Sequence, residues 1–123
     1  MPDYVILHHQ LPAGSDRQSH WDLMFQLDDV LLTWAVEECP RPGLQTVARA
    51  LEDHRLDYLD YSGPVSENRG EVSPWDRGSY QGNLSRTDPF SLHLQGDQCG
   101  GLLQMEPVAG DEGTWRITFP GLQ

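Results

Sequence analysis

His20-Trp21-Asp22-Leu23-Met24-Phe25-Gln26-Leu27, followed by Asp28-Asp29 and then Val30-Leu31-Leu32-Thr33-Trp34-Ala35-Val36, is the stretch that decides the fold. In its first half Trp21, Leu23, Phe25 and Leu27 alternate with His20, Asp22, Met24 and Gln26. That period of two suits a half-buried strand. Asp28-Asp29 offers a hairpin turn, and Val30 to Val36, with Thr33 and Trp34, reads as the return strand. Cys39-Pro40-Arg41-Pro42-Gly43 ends it, because proline cannot donate to a ladder.

The same reading extends outward in both directions. Tyr4 to His9 is an apolar and aromatic run that predicts a strand, and Leu11 to Asp16 is a loop by its Pro and Gly content. Gln45 to His54 is two-sided: Ala48, Ala50 and Leu51 favour a helix, while Val47, Arg49 and Leu51 fit alternation, and a short strand is expected. Ser62 to Ser73 has the composition of a long ordered loop, and Trp75 to Tyr80 is expected to hold a turn at Arg77-Gly78. Phe90 to Leu94, Leu102 to Met105 and Trp115 to Phe119 are further short strands between Gly-rich turns at 96–101 and 110–113. Short strands at this spacing predict a mainly β protein, a small closed or nearly closed antiparallel barrel with long loops.

Composition bounds what such a barrel does. The 123 residues suit one domain over 1–123, and 37% hydrophobic residues with four Trp, four Tyr and three Phe suffice for a core. The chain has no Lys; eight Arg against nineteen acidic residues give a net charge of -11. A field of that sign excludes a general role in coating nucleic acid. Cys39 and Cys99 are too few for a disulfide framework and read as small buried side chains or a redox pair. The N-terminal residues lack a signal pattern and no stretch is apolar enough to span a bilayer, so the expectation is a soluble cytoplasmic protein with no membrane partner.

His20-Trp21-Asp22 is the most informative local feature, since residues i and i+2 of a strand share a face and present an imidazole beside a carboxylate. An antiparallel neighbour would bring His9 alongside, giving two His and one carboxylate suited to a divalent metal; His8 is one residue out of phase. An ordinary hydrated strand face offers the same residues. In Glu52-Asp53-His54-Arg55-Leu56-Asp57-Tyr58, His54 and Tyr58 stand four residues apart and could supply an acid or a phosphate ligand, or form a plain charged turn.

Taken in order, Tyr-Val-Ile-Leu-His-His at 4–9, His-Trp-Asp-Leu-Met-Phe-Gln-Leu-Asp at 20–28, Leu-Leu-Thr-Trp-Ala-Val at 31–36, Glu-Asp-His-Arg-Leu-Asp-Tyr at 52–58, Tyr-Ser-Gly-Pro-Val-Ser-Glu at 61–67 and Trp-Asp-Arg-Gly-Ser-Tyr at 75–80 resemble the 3′-phosphoesterase domain of bacterial DNA ligase D, the DNA polymerase–ligase N-terminal domain family. The resemblance implies a small β-barrel that binds a divalent metal, preferably manganese, and removes 3′-terminal phosphates and ribonucleotides from primer ends. His9, His20 and Asp22 fall where that family's metal ligands stand, with the longer loop before His20 leaving His8 as the other choice. His54 and Tyr58 match a phosphate-contacting His and a Tyr needed for activity.

Two departures bear on function. Met24 and Thr46 stand where the family's phosphate-binding arginines are expected, so Arg49 and Arg77, with Arg69 beside them, become the candidate phosphate contacts. The expected activity is therefore metal-dependent phosphoester hydrolysis at a nucleic-acid 3′ end or on a small phosphoester, with a separately encoded DNA ligase as a partner. The alternative is a non-catalytic metal-binding or interaction module of the same fold.

Overall fold

The computed structural model describes residues 2–15, 18–65 and 69–121. Its strands are β1 (Asp3–Gln10), β2 (His20–Leu27), β3 (Val30–Val36), β4 (Gln45–Arg55), β5 (Gly63–Pro64), β6 (Glu71–Gly82), β7 (Phe90–Gly96), β8 (Gly100–Pro107) and β9 (Thr114–Thr118). A single 3₁₀ turn, Leu56–Leu59, follows β4, and there is no α-helix among the described residues.

Two antiparallel meanders, β1 to β4 and β6 to β9, join along both edges: β4 pairs with β9, and β1 pairs with β6. The result is a closed eight-stranded antiparallel barrel, with two-residue β5 attached to β6. Closure removes the exposed edges that a sheet of this size would otherwise present. Leu27 pairs with Val30 around Asp28-Asp29, where Asp28 takes φ 55°, a left-handed turn conformation that Asp tolerates better than most residues.

The alternation of β2 and β3 sorts their side chains to two sides. Leu23, Phe25, Leu32, Trp34 and Val36 point inward with Tyr4, Ile6, Leu92, Leu103 and Ile117 into the barrel core. Trp34, Phe90 and Trp115 form a ring cluster there, with centroids 5.5–5.6 Å apart. Asp76 is buried as well and accepts hydrogen bonds from the Tyr4 hydroxyl (2.6 Å) and from the backbone N–H of Gln98 (2.7 Å) and Cys99 (3.2 Å). This buried carboxylate ties β1 to the β7–β8 turn.

A second, smaller apolar cluster lies on the barrel's outer surface. Strands β4 and β6 stand opposite each other in the strand circle, so the connection between them must travel around the barrel. It does so over the outer face of β1, β2 and β3. Leu56, Tyr58, Leu59 and Val65 pack there on Val5, Leu7, Met24, Leu31 and Val72. This strap is the fold's main departure from a plain barrel.

Several local expectations are corrected. Arg77-Gly78 is not a turn: β6 runs unbroken through it, and Gly78 is there because a Cβ would meet the Gln95 carbonyl oxygen at 2.0 Å. The glycine marks close backbone approach between β6 and β7 instead. The stretch 62–73 is not one loop, since it contains β5 and the first residues of β6; 66–68 lie outside the described residues. Gly96, Gly100 and Gly101 belong to strands, leaving a tighter turn than expected. The stretch from Gln45 is a strand, longer than expected at eleven residues, Gln45–Arg55. Cys39 is exposed and Cys99 buried, both unbonded, so they are no redox pair.

Candidate metal centre and adjoining groove

The β1–β2 ladder pairs His9 with His20 and Leu7 with Asp22, and all four lie on the outer face. Within this frame His9, His20 and Asp22 bring one ligand atom each to within 4.8 Å of one another. His20 Nε2 stands 3.1 Å from Asp22 Oδ1, and His9 Nδ1 stands 3.6 Å from Oδ2. The structure separates His9 from His8. The latter sits on the opposite face, stacked on Trp21 at 4.4 Å and 3° between ring planes. Partial burial, together with the neighbouring His20 and His9, lowers the His8 pKa.

The outer nitrogen of each ligand ring is committed to the backbone. His9 Nε2 lies 2.7 Å from the Arg69 carbonyl, and His20 Nδ1 lies 3.0 Å from the Gln18 carbonyl. A carbonyl only accepts, so those nitrogens carry the N–H, and in the neutral imidazoles the nitrogens turned toward Asp22 are acceptors. Burial alone would raise the Asp22 carboxyl, but the adjoining His20 and His9 outweigh it and hold it down at about 2. Asp22 Oδ1 is buried without an aligned hydrogen-bond donor, despite the 3.1 Å approach of His20. Two imidazoles and a carboxylate converging on one point are a donor set suited to a cation, and a histidine–carbonyl outer shell is the usual way to hold metal ligands in place. The residues fit a divalent ion.

Across β3, the row through Asp22 continues to Ala35 and then to Arg49 on β4. Ala35 is the only side chain in the row between the carboxylate and the guanidinium, and its small size leaves an open groove there. The groove, about 710 Å³, is lined by His20, Ala35, Glu37, Glu38, Thr46 and Arg49 among others. Arg49 Nη1 reaches Thr114 Oγ1 at 3.5 Å, a long contact that leaves most of its donors for other partners. Arg77, opposite Val5 on the far side of β1, does not line this groove.

His54 reaches the outer face through a β-bulge. Thr33 pairs with Leu51 but Leu31 with His54, so β4 carries one extra residue and the parity shifts. Asp53 forms instead a bidentate pair with Arg86 at 2.9 Å. The His54 and Tyr58 rings meet edge to face, centroids 5.5 Å apart, and His54 Nδ1 lies 2.9 Å from the Glu52 carbonyl. The pair thus comes together, but Met24, Thr33 and Leu51 form the row between it and Asp22. His54 is in register with Gln26, roughly 13 Å along β2 from Asp22 at the usual rise per residue.

Met24 itself is 1% exposed, buried under the strap. The position that the resemblance gives to an arginine is here part of an apolar cluster. Residues that sequence reasoning did not single out are Ala35, Gly70 and the carbonyls of Gln18 and Arg69. Backbone carbonyls leave no trace in sequence; Gly70 carried a signal but read as an ordinary loop glycine.

The family model for the DNA ligase D 3′-phosphoesterase domain matches residues 9–106. Among curated proteins, the multifunctional non-homologous end joining protein LigD of Pseudomonas aeruginosa is 38% identical over 80 residues, covering 61% of this chain and 10% of its own length. The corresponding DNA repair protein LigD of Mycobacterium tuberculosis is 29% identical over 117 residues, 88% of this chain and 15% of its own length. That of Mycolicibacterium smegmatis is 30% identical over 105 residues, 81% and 13% respectively. The chain therefore spans between 10% and 15% of the length of these relatives. With the family match extending from His9 to β8, the chain belongs to the DNA ligase D 3′-phosphoesterase domain family.

Proposed function

We propose that the protein is a metal-dependent phosphoesterase that removes terminal phosphates or ribonucleotides at nucleic-acid 3′ ends, in DNA repair. The observation that carries this reading is the convergence of His9, His20 and Asp22, with both outer ring nitrogens fixed by backbone carbonyls. These three residues would hold the ion, and manganese is the proposed metal. A divalent ion held there would supply Lewis-acid polarisation of a phosphoryl oxygen.

The chain's own residues supply the rest. Arg49, across Ala35 from Asp22, takes the phosphate charge in place of an arginine at position 24. Its planar fork matches two phosphate oxygens at once. His54 and Tyr58 lie further along the same face and are given the body of the substrate, His54 by hydrogen bonding at Nε2 and Tyr58 by its ring. In the overall step a water oxygen bonds to phosphorus, the ester P–O bond breaks, and the leaving alcohol takes up a proton. A soluble protein working with a separately encoded ligase fits this reading.

The test uses a 5′-labelled primer ending in a 3′-phosphate, incubated with manganese and either the parent protein or His20→Ala. The expected result is loss of the phosphate with the parent alone. No product with manganese demonstrably bound would overturn catalysis. It would favour the second reading, a non-catalytic metal-binding module, for which the burial of Met24 under the strap is the specific argument.

A further inference from the structure

The strap forms a second hollow, of about 440 Å³, lined by Arg55, Asp57, Tyr58, Tyr61, Pro64 and Val65. Its size is that of a small-ligand site, and its lining is of the same kind, mostly apolar and aromatic with a few polar groups. Tyr58 and Tyr61 meet edge to face, their centroids 5.8 Å apart and their planes at 79°. A flat ligand stacked on one of these rings therefore abuts the other. Tyr61 is 37% exposed, and its hydroxyl donates to the Pro64 carbonyl, which fixes the ring against the returning chain. Arg55 and Asp57 are exposed beside the rings and bring one donor group and one acceptor group.

Strand register ties this hollow to the candidate metal centre. Gly63, just before Pro64, pairs with Val72, and Val72 pairs with His9. Two strand spacings, roughly 10 Å, thus separate that end of the strap from His9. At the other end Arg55 directly follows His54. A strand whose terminal phosphate lay at His9, His20 and Asp22 would have the hollow within reach of its last nucleotides. The net charge of -11, with no lysine, gives the chain little hold on the phosphates of that strand. Its bases are flat and uncharged, and stacking on aromatic side chains is indifferent to the sign of the protein's field.

Resting on the phosphoesterase reading above, we infer that the hollow is a nucleobase site, taking the unpaired last or penultimate base of the strand whose 3′ end is trimmed. Tyr58 and Tyr61 stack on and flank the base, Pro64 and Val65 cover its apolar surface, and Arg55 and Asp57 meet the acceptors and donors that the edge of every base carries. A phosphate is a poor occupant, because Asp57 offsets the charge of Arg55 within the same lining.

The experiment uses the full protein with manganese and three 3′-phosphorylated single strands: one intact, one with a stable abasic residue at the last position, and one with it at the penultimate position. Binding, from the anisotropy of a 5′ dye, and phosphate release are measured separately, at roughly 50 and 200 mM salt. The parent is expected to bind one of the abasic strands at least about fivefold more weakly than the intact strand. That factor should be the same at both salts, because the lost contact is uncharged. Tyr61→Ala is expected to bind all three strands alike, and Tyr61→Phe, which keeps the ring, to retain the preference for the intact strand. Equal binding of the three strands by the parent would overturn the inference without recourse to any variant, and phosphate release from them would then leave the phosphoesterase reading standing. A base preference without phosphate release would overturn that reading and support the base site. If no strand binds, both are overturned.

Discussion

His9 stands directly across the β1–β2 ladder from His20, their ring centroids 4.9 Å apart, and Asp22 reaches both rings from two residues further along β2. This relationship makes the candidate metal site a property of one strand pair. Replacing His20 with Ala or Asp22 with Asn should lower manganese affinity at least a hundredfold. Saturating metal, at about a hundred times its Kd, should stabilise the parent by about 2.7 kcal/mol and leave both variants unmoved. Thermal melts with and without manganese check this directly; a parent Tm insensitive to metal would remove the site.

Gly70 holds the outer end of that site. It has φ +85°, and a Cβ there would lie 2.0 Å from the Gln10 carbonyl oxygen. Gly70→Ala must push the 69–70 backbone off β1 and take the Arg69 carbonyl away from His9 Nε2. Loss of such an outer-shell contact typically costs about tenfold or more in metal affinity. Titration of manganese into the variant should show this weakening, and unchanged affinity would mean that the carbonyl does not orient His9.

Met24 tests whether the position still serves the site. With 1% exposure among Val5, Leu7 and Leu31, it has no room for a solvated charge. Met24→Arg should destabilise the fold by about 3 kcal/mol, and Met24→Leu by less than about 1.5 kcal/mol. Denaturant unfolding of the two variants gives the comparison. A Met24→Arg protein as stable as the parent and faster on a 3′-phosphate would show that the strap yields to substrate.

His54→Ala and Tyr58→Ala separate the two halves of the site. Because the row of Met24, Thr33 and Leu51 stands between His54 and Asp22, both variants should bind manganese like the parent. Their kinetic defect should fall more on KM than on kcat, since substrate body rather than the breaking bond is affected. Loss of metal affinity in either would place His54 closer to the ion than the register does.

The two cysteines should differ sharply toward a thiol reagent. Cys39 is exposed, while burial, reinforced by the adjacent Asp76 carboxylate, pushes the Cys99 thiol up to about 12. One thiol should react promptly in the native protein at mildly alkaline pH and the second only on unfolding. The raised pKa also sets a pH dependence. Cys99 favours the folded state fully below its ordinary value near 9, and that contribution is lost as pH rises from there through about 12. Tyr4, raised by burial and by its bond to Asp76, acts in the same direction. Stability should therefore decline on the alkaline side, as pH-dependent unfolding curves would show.

The strands were legible in sequence because alternation is local: Trp21, Leu23 and Phe25 need only their own neighbours to declare which side faces the core. The pairing of His20 with Asp22 was legible for the same reason. Glycine was misread at 78, since a glycine demanded by a neighbouring strand looks the same in sequence as one demanded by a turn. The parity of His54 was also hidden, because the bulge that brings it to the outer face is an agreement between β3 and β4 rather than a property of either.

By itself the sequence determined a β protein with an imidazole and a carboxylate on one strand face, because a period of two places i and i+2 together whatever the fold. Tertiary structure alone decided the rest. The β1–β2 register chose His9 over His8 as the neighbour of Asp22, the path of the strap turned Met24 into a core residue, and the β3–β4 register set Arg49 across Ala35 from the candidate metal site. Each of these depends on which strands lie side by side and in what register, and that is set by how the whole chain buries its apolar surface.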